Sequence, residues 1–125
     1  MNKVVHFEIP YDDMKRAEQF YQSTFGWQLN EMPEMSYTIA TTVPLGDDRL
    51  PTERGAINGG MMQRSTRLSA PIITIQVDSI DDALKTVSQN GGTVVVAKQE
   101  VQGMGYTAYL KDTEGNVIGL WELMH

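Results

Sequence analysis

The chain is built on an internal repeat. At an offset of 66 residues Ile72 falls on His6, Ala83 on Ala17 and Gly92 on Gly26, and the hydrophobic pattern restarts with them. A repeat of this length is one supersecondary unit, which cannot bury its apolar faces alone. The 125 residues are the size of one domain. That domain is therefore expected to consist of two modules, residues 1–64 and 70–125.

Each module reads as strand, helix, then three strands. Residues 3–9 alternate, with Val5, Phe7 and Ile9 on one face and Val4, His6 and Glu8 on the other, the period-2 signature of a strand. Pro10 is expected to end it. Asp12 or Asp13 then offers an N-cap oxygen. Met14, Ala17, Tyr21, Thr24 and Phe25 follow at helical spacing, and Gly26 is the stop. Strands are predicted over 27–31 and 36–42, a loop over 44–55, and a strand over 56–63. In that last strand Gly59-Gly60 marks close approach of a ligand or of another backbone. After a polar linker over 64–70, the second module repeats the order. It has a strand over 71–77, a helix capped by Asp78 or Ser79, and strands over 93–101, 106–111 and 117–123. The second helix carries the stripe Ile80, Ala83, Leu84 and Val87.

One helix stripe per module can cover one sheet face. The expected fold is α+β: two βαβββ modules forming curved mixed sheets around a cavity, with the helices on the outer faces. His6 and Glu8 fall on the face that their helix leaves open, and Ile72, Thr74 and Gln76 repeat that placement.

The composition closes off several functions. Cysteine is absent, which removes disulfides, thiolate metal sites and one class of nucleophile and fits a reducing compartment. The formal net charge of −6 repels phosphate backbones and argues against nucleic acid as a partner. No apolar run approaches the roughly 18 residues of a membrane span, and the N-terminus has no secretory signal pattern. The expected location is the cytoplasm. His6 and His125 are the two histidines, and no nucleophile motif accompanies them to support a catalytic triad.

Several motifs occur in order along the chain. They are Val5-His6-Phe7-Glu8-Ile9-Pro10, Asp13, Ala17, Phe20-Tyr21, Phe25-Gly26-Trp27 and Gly59-Gly60-Met61-Met62. Gly103-Met104-Gly105, Lys111-Asp112-Thr113-Glu114-Gly115-Asn116 and Gly119-Leu120-Trp121-Glu122 follow. Together they resemble the vicinal-oxygen-chelate superfamily, which includes glyoxalase I, bleomycin-resistance proteins and extradiol dioxygenases. The last set looks like a glyoxalase-related subgroup of unsettled activity. The resemblance spans nearly the whole chain. It implies modules that pair within or across chains, and hence a homodimer.

The resemblance also implies a divalent metal held from four strand positions. Carried over one at a time, these fall on His6, near Gly59, on Ile72 and on Gly119. Only the first has a ligating side chain, so the ligand set does not support the metal. Glu8 shares the face of His6, whereas Glu122 lies an odd number of residues from Gly119 and so on the opposite face.

Two functions stay open. One is a glyoxalase-like protein acting on a small oxygenated metabolite, with His6 or Glu8 in acid–base roles. The other is a non-catalytic binder of a drug or metabolite, of the bleomycin-resistance type. In either case Thr74, Gln76, Tyr106 and Trp121 are candidate ligand contacts. Ordinary packing accounts for the aromatic residues as well. Tyr106 and Tyr109 lie on opposite faces, so at most one of them meets a ligand.

Overall fold

A computed structural model describes residues 1–124; His125 lies outside the described residues. The chain divides into two compact units. One is His6–Pro71, and the other joins residues 1–5 to the stretch from Ile72 onward. The first five residues thus group with the second module, where the Lys3 carbonyl accepts a hydrogen bond from the Gln76 amide at 2.9 Å.

The first unit contains β1 (Val4–Tyr11, its first two residues grouping with the other unit), α1 (Met14–Phe25), β2 (Gln28–Met32), a 3₁₀ turn at Pro33–Met35, β3 (Tyr37–Thr41) and β4 (Gly59–Gln63). Its strands lie in the order β2-β3-β4-β1. β1 and β4 are parallel and the other pairs antiparallel. The second unit contains β5 (Ile72–Gln76), α2 (Ile80–Gln89), β6 (Thr93–Val101), β7 (Gly105–Lys111) and β8 (Val117–Leu123). Its order is β6-β7-β8-β5, with β5 and β8 parallel. The α+β fold of two βαβββ modules is therefore present.

Pro10 does not end β1 as expected. It pairs with Met62, and the pairing runs on to Tyr11, whose carbonyl accepts from Arg64 at 2.8 Å. Proline's fixed φ suits an extended strand, and it lacks only the donor. The expected strand over 56–63 begins only at Gly59. The Asn58 side chain instead accepts from the amides of Thr42 and Val43. Both helices are capped where the sequence offered oxygens. Asp13 accepts from the Arg16 amide and Ser79 from the Asp82 amide, each replacing a bond that the first turn lacks. Gly26 closes α1 at φ 74°, a left-handed conformation that costs glycine little.

Each helix packs on one face of its own sheet. Met14, Ala17 and Tyr21 of α1 meet Tyr11, Ala40 and Met61. Ile80, Ala83, Leu84 and Val87 of α2 meet Val77, Ala108, Leu110 and Leu120. Glu122 belongs to this helix side. Its Oε1 accepts from the Ile80 amide at 2.7 Å and lies 3.8 Å from Lys98.

The α1 interface also holds a polar chain. The Thr38 hydroxyl donates to Glu18 at 3.0 Å, and Lys15 donates to Glu31, the register neighbour of Thr38, at 2.6 Å. Partial burial pushes the Glu18 carboxyl above its ordinary value, while the Lys15 hydrogen bond holds Glu31 below its own. The neighbouring Glu31 charge also raises the Glu18 carboxyl. A raised carboxyl stabilises the fold at low pH and loses that contribution as pH rises from about 4.5 through the raised value. Urea midpoints measured from pH 4 to 8 test this. Glu18→Gln, which donates without a titrating proton, should remove the decline above pH 4.5. The acid-side loss from Glu31 should remain. An unchanged alkaline limb would contradict the raised Glu18 carboxyl.

Candidate functional site

On the first sheet, the helix side is marked by Phe7, Ile9 and Met61, which pack with α1. Alternation puts His6, Glu8 and Pro10 on the other side. Glu8 is buried and His6 half-buried there. Tyr37 enters from β3. In register it sits beside Met62, two residues from the row that pairs Glu8, Gly60 and Ile39. Its side chain leans across Gly60, and its hydroxyl lies 2.8 Å from His6 Nε2. The two rings are nearly parallel, at 16°.

Gly59 and Gly60 serve opposite faces. A Cβ at Gly59 would come within 2.5 Å of the Phe7 ring and carbonyl, on the helix side. A Cβ at Gly60 would lie 1.8 Å from the Tyr37 hydroxyl. The close approach expected at this pair is thus made by the protein's own side chains. The position mapped near Gly59 is also corrected. Gly60 shares the face of His6, and Gly59 does not.

Burial holds the His6 imidazole below its ordinary value, with the Glu8 charge pulling weakly the other way. Burial thus favours the uncharged ring. One ring nitrogen accepts and the other donates. An imidazole, a phenol and a carboxyl group thus share one face. They can pass a proton and bind a ligand oxygen.

The second sheet has its own polar face. Thr74, Gly119 and Tyr109 form one row, and Gln76, Trp121 and Thr107 the next on the same side. Thr74 is buried, and a Cβ at Gly119 would lie 2.8 Å from its hydroxyl. Ile72, two residues before Thr74, is buried and apolar. Tyr106 does not join this group. It pairs with Glu122 and packs against the α2 cluster, with Lys98 4.4 Å from its ring centroid. Tyr109 takes the place beside Gly119.

Among the described residues no three His, Cys, Asp or Glu side chains gather where they could hold a metal ion. The packing explains why the donor set does not fit. The space a ligand would need at Gly60 is filled by Tyr37, and at Gly119 by Thr74 with the Tyr109 ring 3.5 Å away.

Sequence reasoning missed Tyr37. The Gly59-Gly60 pair signalled a close approach, but which of the two glycines faces His6 is visible only in the register.

Comparison with known proteins fits this framework. Lactoylglutathione lyase from Escherichia coli O157:H7 is 30% identical over 129 residues, which cover 96% of this chain and 92% of the lyase. The chain belongs to the glyoxalase family of the vicinal-oxygen-chelate superfamily. Residues 3–42 match the family described as bleomycin resistance protein-like N-terminal. The proposed glyoxylase CFP32 of Mycobacterium bovis is 28% identical over 88% of the chain, which spans only 41% of that protein's length. A variant of Streptomyces coelicolor methylmalonyl-CoA epimerase in complex with 2-nitronate-propionyl-CoA has the same fold. Its TM-score is 0.66 at 13% identity, covering 100% of this chain and 99% of that one.

Gly60→Ala should drive the Tyr37 ring aside and break its bond to His6. A new methyl-sized group in a filled site costs about 1–3 kcal/mol. Chemical denaturation checks the stability, and the His6 ring resonances should shift as they do in Tyr37→Phe.

Proposed function

We propose that this glyoxalase-family chain acts on a small oxygenated metabolite by moving a proton next to a carbonyl, with His6 and Glu8 as the acid–base pair. The observation that carries this reading is geometric: His6 and Glu8 lie on one face of β1, with the Tyr37 hydroxyl 2.8 Å from His6 Nε2. The ligand set lacks the donors for a metal, so the reading takes no step through one. Thr74, Gln76 and Trp121 give the second module's own open face neutral hydrogen-bonding groups and an aromatic wall. The reading includes a homodimer and, with no cysteine in the chain, a cytoplasmic location. Among the described residues no helix is long and apolar enough to cross a membrane.

A second reading has its own support. The match of residues 3–42 to a bleomycin-resistance-like family favours a binder without turnover. The net charge of −6 would then draw a cationic ligand.

Solvent exchange separates the two. Hydroxyacetone in D₂O, with chelator present, should gain α-deuterium in the presence of the protein. His6→Ala and Glu8→Gln should each lower the rate about 10²-fold or more, the usual scale of a positioned acid or base. No exchange, together with a raised melting temperature from one member of a cationic antibiotic panel, would favour the binder.

A further inference from the structure

The resemblance put a metal on His6, and the structure puts a phenol there. We propose that Tyr37 stands where the metal would have stood. Its hydroxyl donates to His6 Nε2, and its oxygen is the atom that exchanges a proton with the ligand. This rests on the proton-transfer reading above and adds the residue that performs it.

The direction of the bond follows from the chemistry of the pair. The two atoms are 2.8 Å apart, an ordinary O–H···N distance. A phenol is a much stronger acid than the N–H of a neutral imidazole, so O–H···N is the better of the two arrangements. The His6 proton then sits on Nδ1. The Nε2 lone pair, which a metal or a substrate proton would need, is already in use. His6 does not meet the ligand through that atom, and the phenol oxygen does.

Placement supports the same assignment. Tyr37 reaches His6 only because Gly60 has no side chain: a Cβ there would lie within 1.8–2.1 Å of three Tyr37 atoms. The phenol therefore lies over the row that holds Glu8, the register partner of Gly60. Donor, acceptor and carboxylate lie within three neighbouring positions of one sheet face.

The step balances without any further reagent. The ligand's C–H bond α to the carbonyl breaks, and its proton joins the Tyr37 oxygen. The original phenol proton moves to His6 Nε2, which makes an imidazolium. The C–H electron pair remains on the ligand as the enolate. The Glu8 charge favours the imidazolium that this creates. Return of the proton regenerates the pair. Tyr37 is thus the proton-transferring residue, and His6 accepts through it.

Two readouts on the full chain test this, with hydroxyacetone as the probe. In ¹⁵N spectra at pH 7 the His6 ring should be protonated on Nδ1, with Nε2 hydrogen-bonded. Tyr37→Phe should turn it into a mixture of tautomers. In D₂O exchange, Tyr37→Phe should lower kcat at least tenfold with KM little changed. A proton on Nε2 in the wild type, or a ring unaffected by Tyr37→Phe, overturns the proposal. Exchange that persists undiminished in Tyr37→Phe also overturns it and leaves the proposed function standing. No exchange in the wild type overturns the proposed function and the transfer step with it, while the ring spectra still decide the direction of the bond. If Tyr37→Phe unfolds, 3-fluorotyrosine at position 37 keeps the shape and makes the phenol more acidic, and it should shift the exchange rate. An unshifted rate would count against Tyr37.

Discussion

The parallel pairing of the first and fourth strands governs each module. β1 lies beside β4 and β5 beside β8, both parallel. Parallel neighbours cannot be joined by a tight turn, so the chain must cross over. In each module the helix provides the first part of that path and settles on one face of the sheet. The other face receives every second residue of four strands and no helix. Whatever chemistry a module has must be written there. In the first module that face carries His6, Glu8 and Tyr37. In the second it carries Thr74, Gln76, Tyr109 and Trp121.

The same pairing fixes the register in which those residues meet. Glu8 faces Gly60, and Thr74 faces Gly119. With a repeat of 66 residues, Glu8 and Thr74 occupy equivalent places, and the two glycines correspond through their register with them. The modules therefore share a motif, a polar side chain on the first strand opposite a glycine on the last. They differ in what fills the space above the glycine. In one it is a phenol bonded to an imidazole, in the other a threonine hydroxyl and a tyrosine edge. The repeat is conserved in its backbone plan and divergent in its chemistry.

Much of this was legible in the sequence. Alternation over residues 3–9 separated Phe7 and Ile9 from His6 and Glu8, and the structure keeps that division. The helix caps were legible because Asp13 and Ser79 are the residue types that can satisfy a bare first turn. The odd spacing of Glu122 from Gly119 put it on the helix side, where it accepts from the Ile80 amide. What failed depended on contacts between distant residues. Pro10 looks like a strand end because a missing donor is visible in sequence, whereas a partner strand that tolerates its loss is not. Gly59 and Gly60 are indistinguishable by composition, yet one relieves Phe7 and the other admits Tyr37. Tyr37 itself is separated from His6 by 31 positions, and no local pattern links a residue on β3 to one on β1.

The glycine at position 60 has a consequence for how this chain can change. Placing an acidic side chain on the His6 face takes one exchange, at Gly60. In the folded protein the new side chain would land on the Tyr37 phenol, and the same exchange at Gly119 would land on Thr74. Each such exchange therefore needs its neighbour altered as well, and one change alone leaves either an empty space or a clash. Both are disfavoured in a filled sheet face. The packing therefore bars a one-step gain of a ligating side chain on either face and leaves the first face to what a phenol and an imidazole can do.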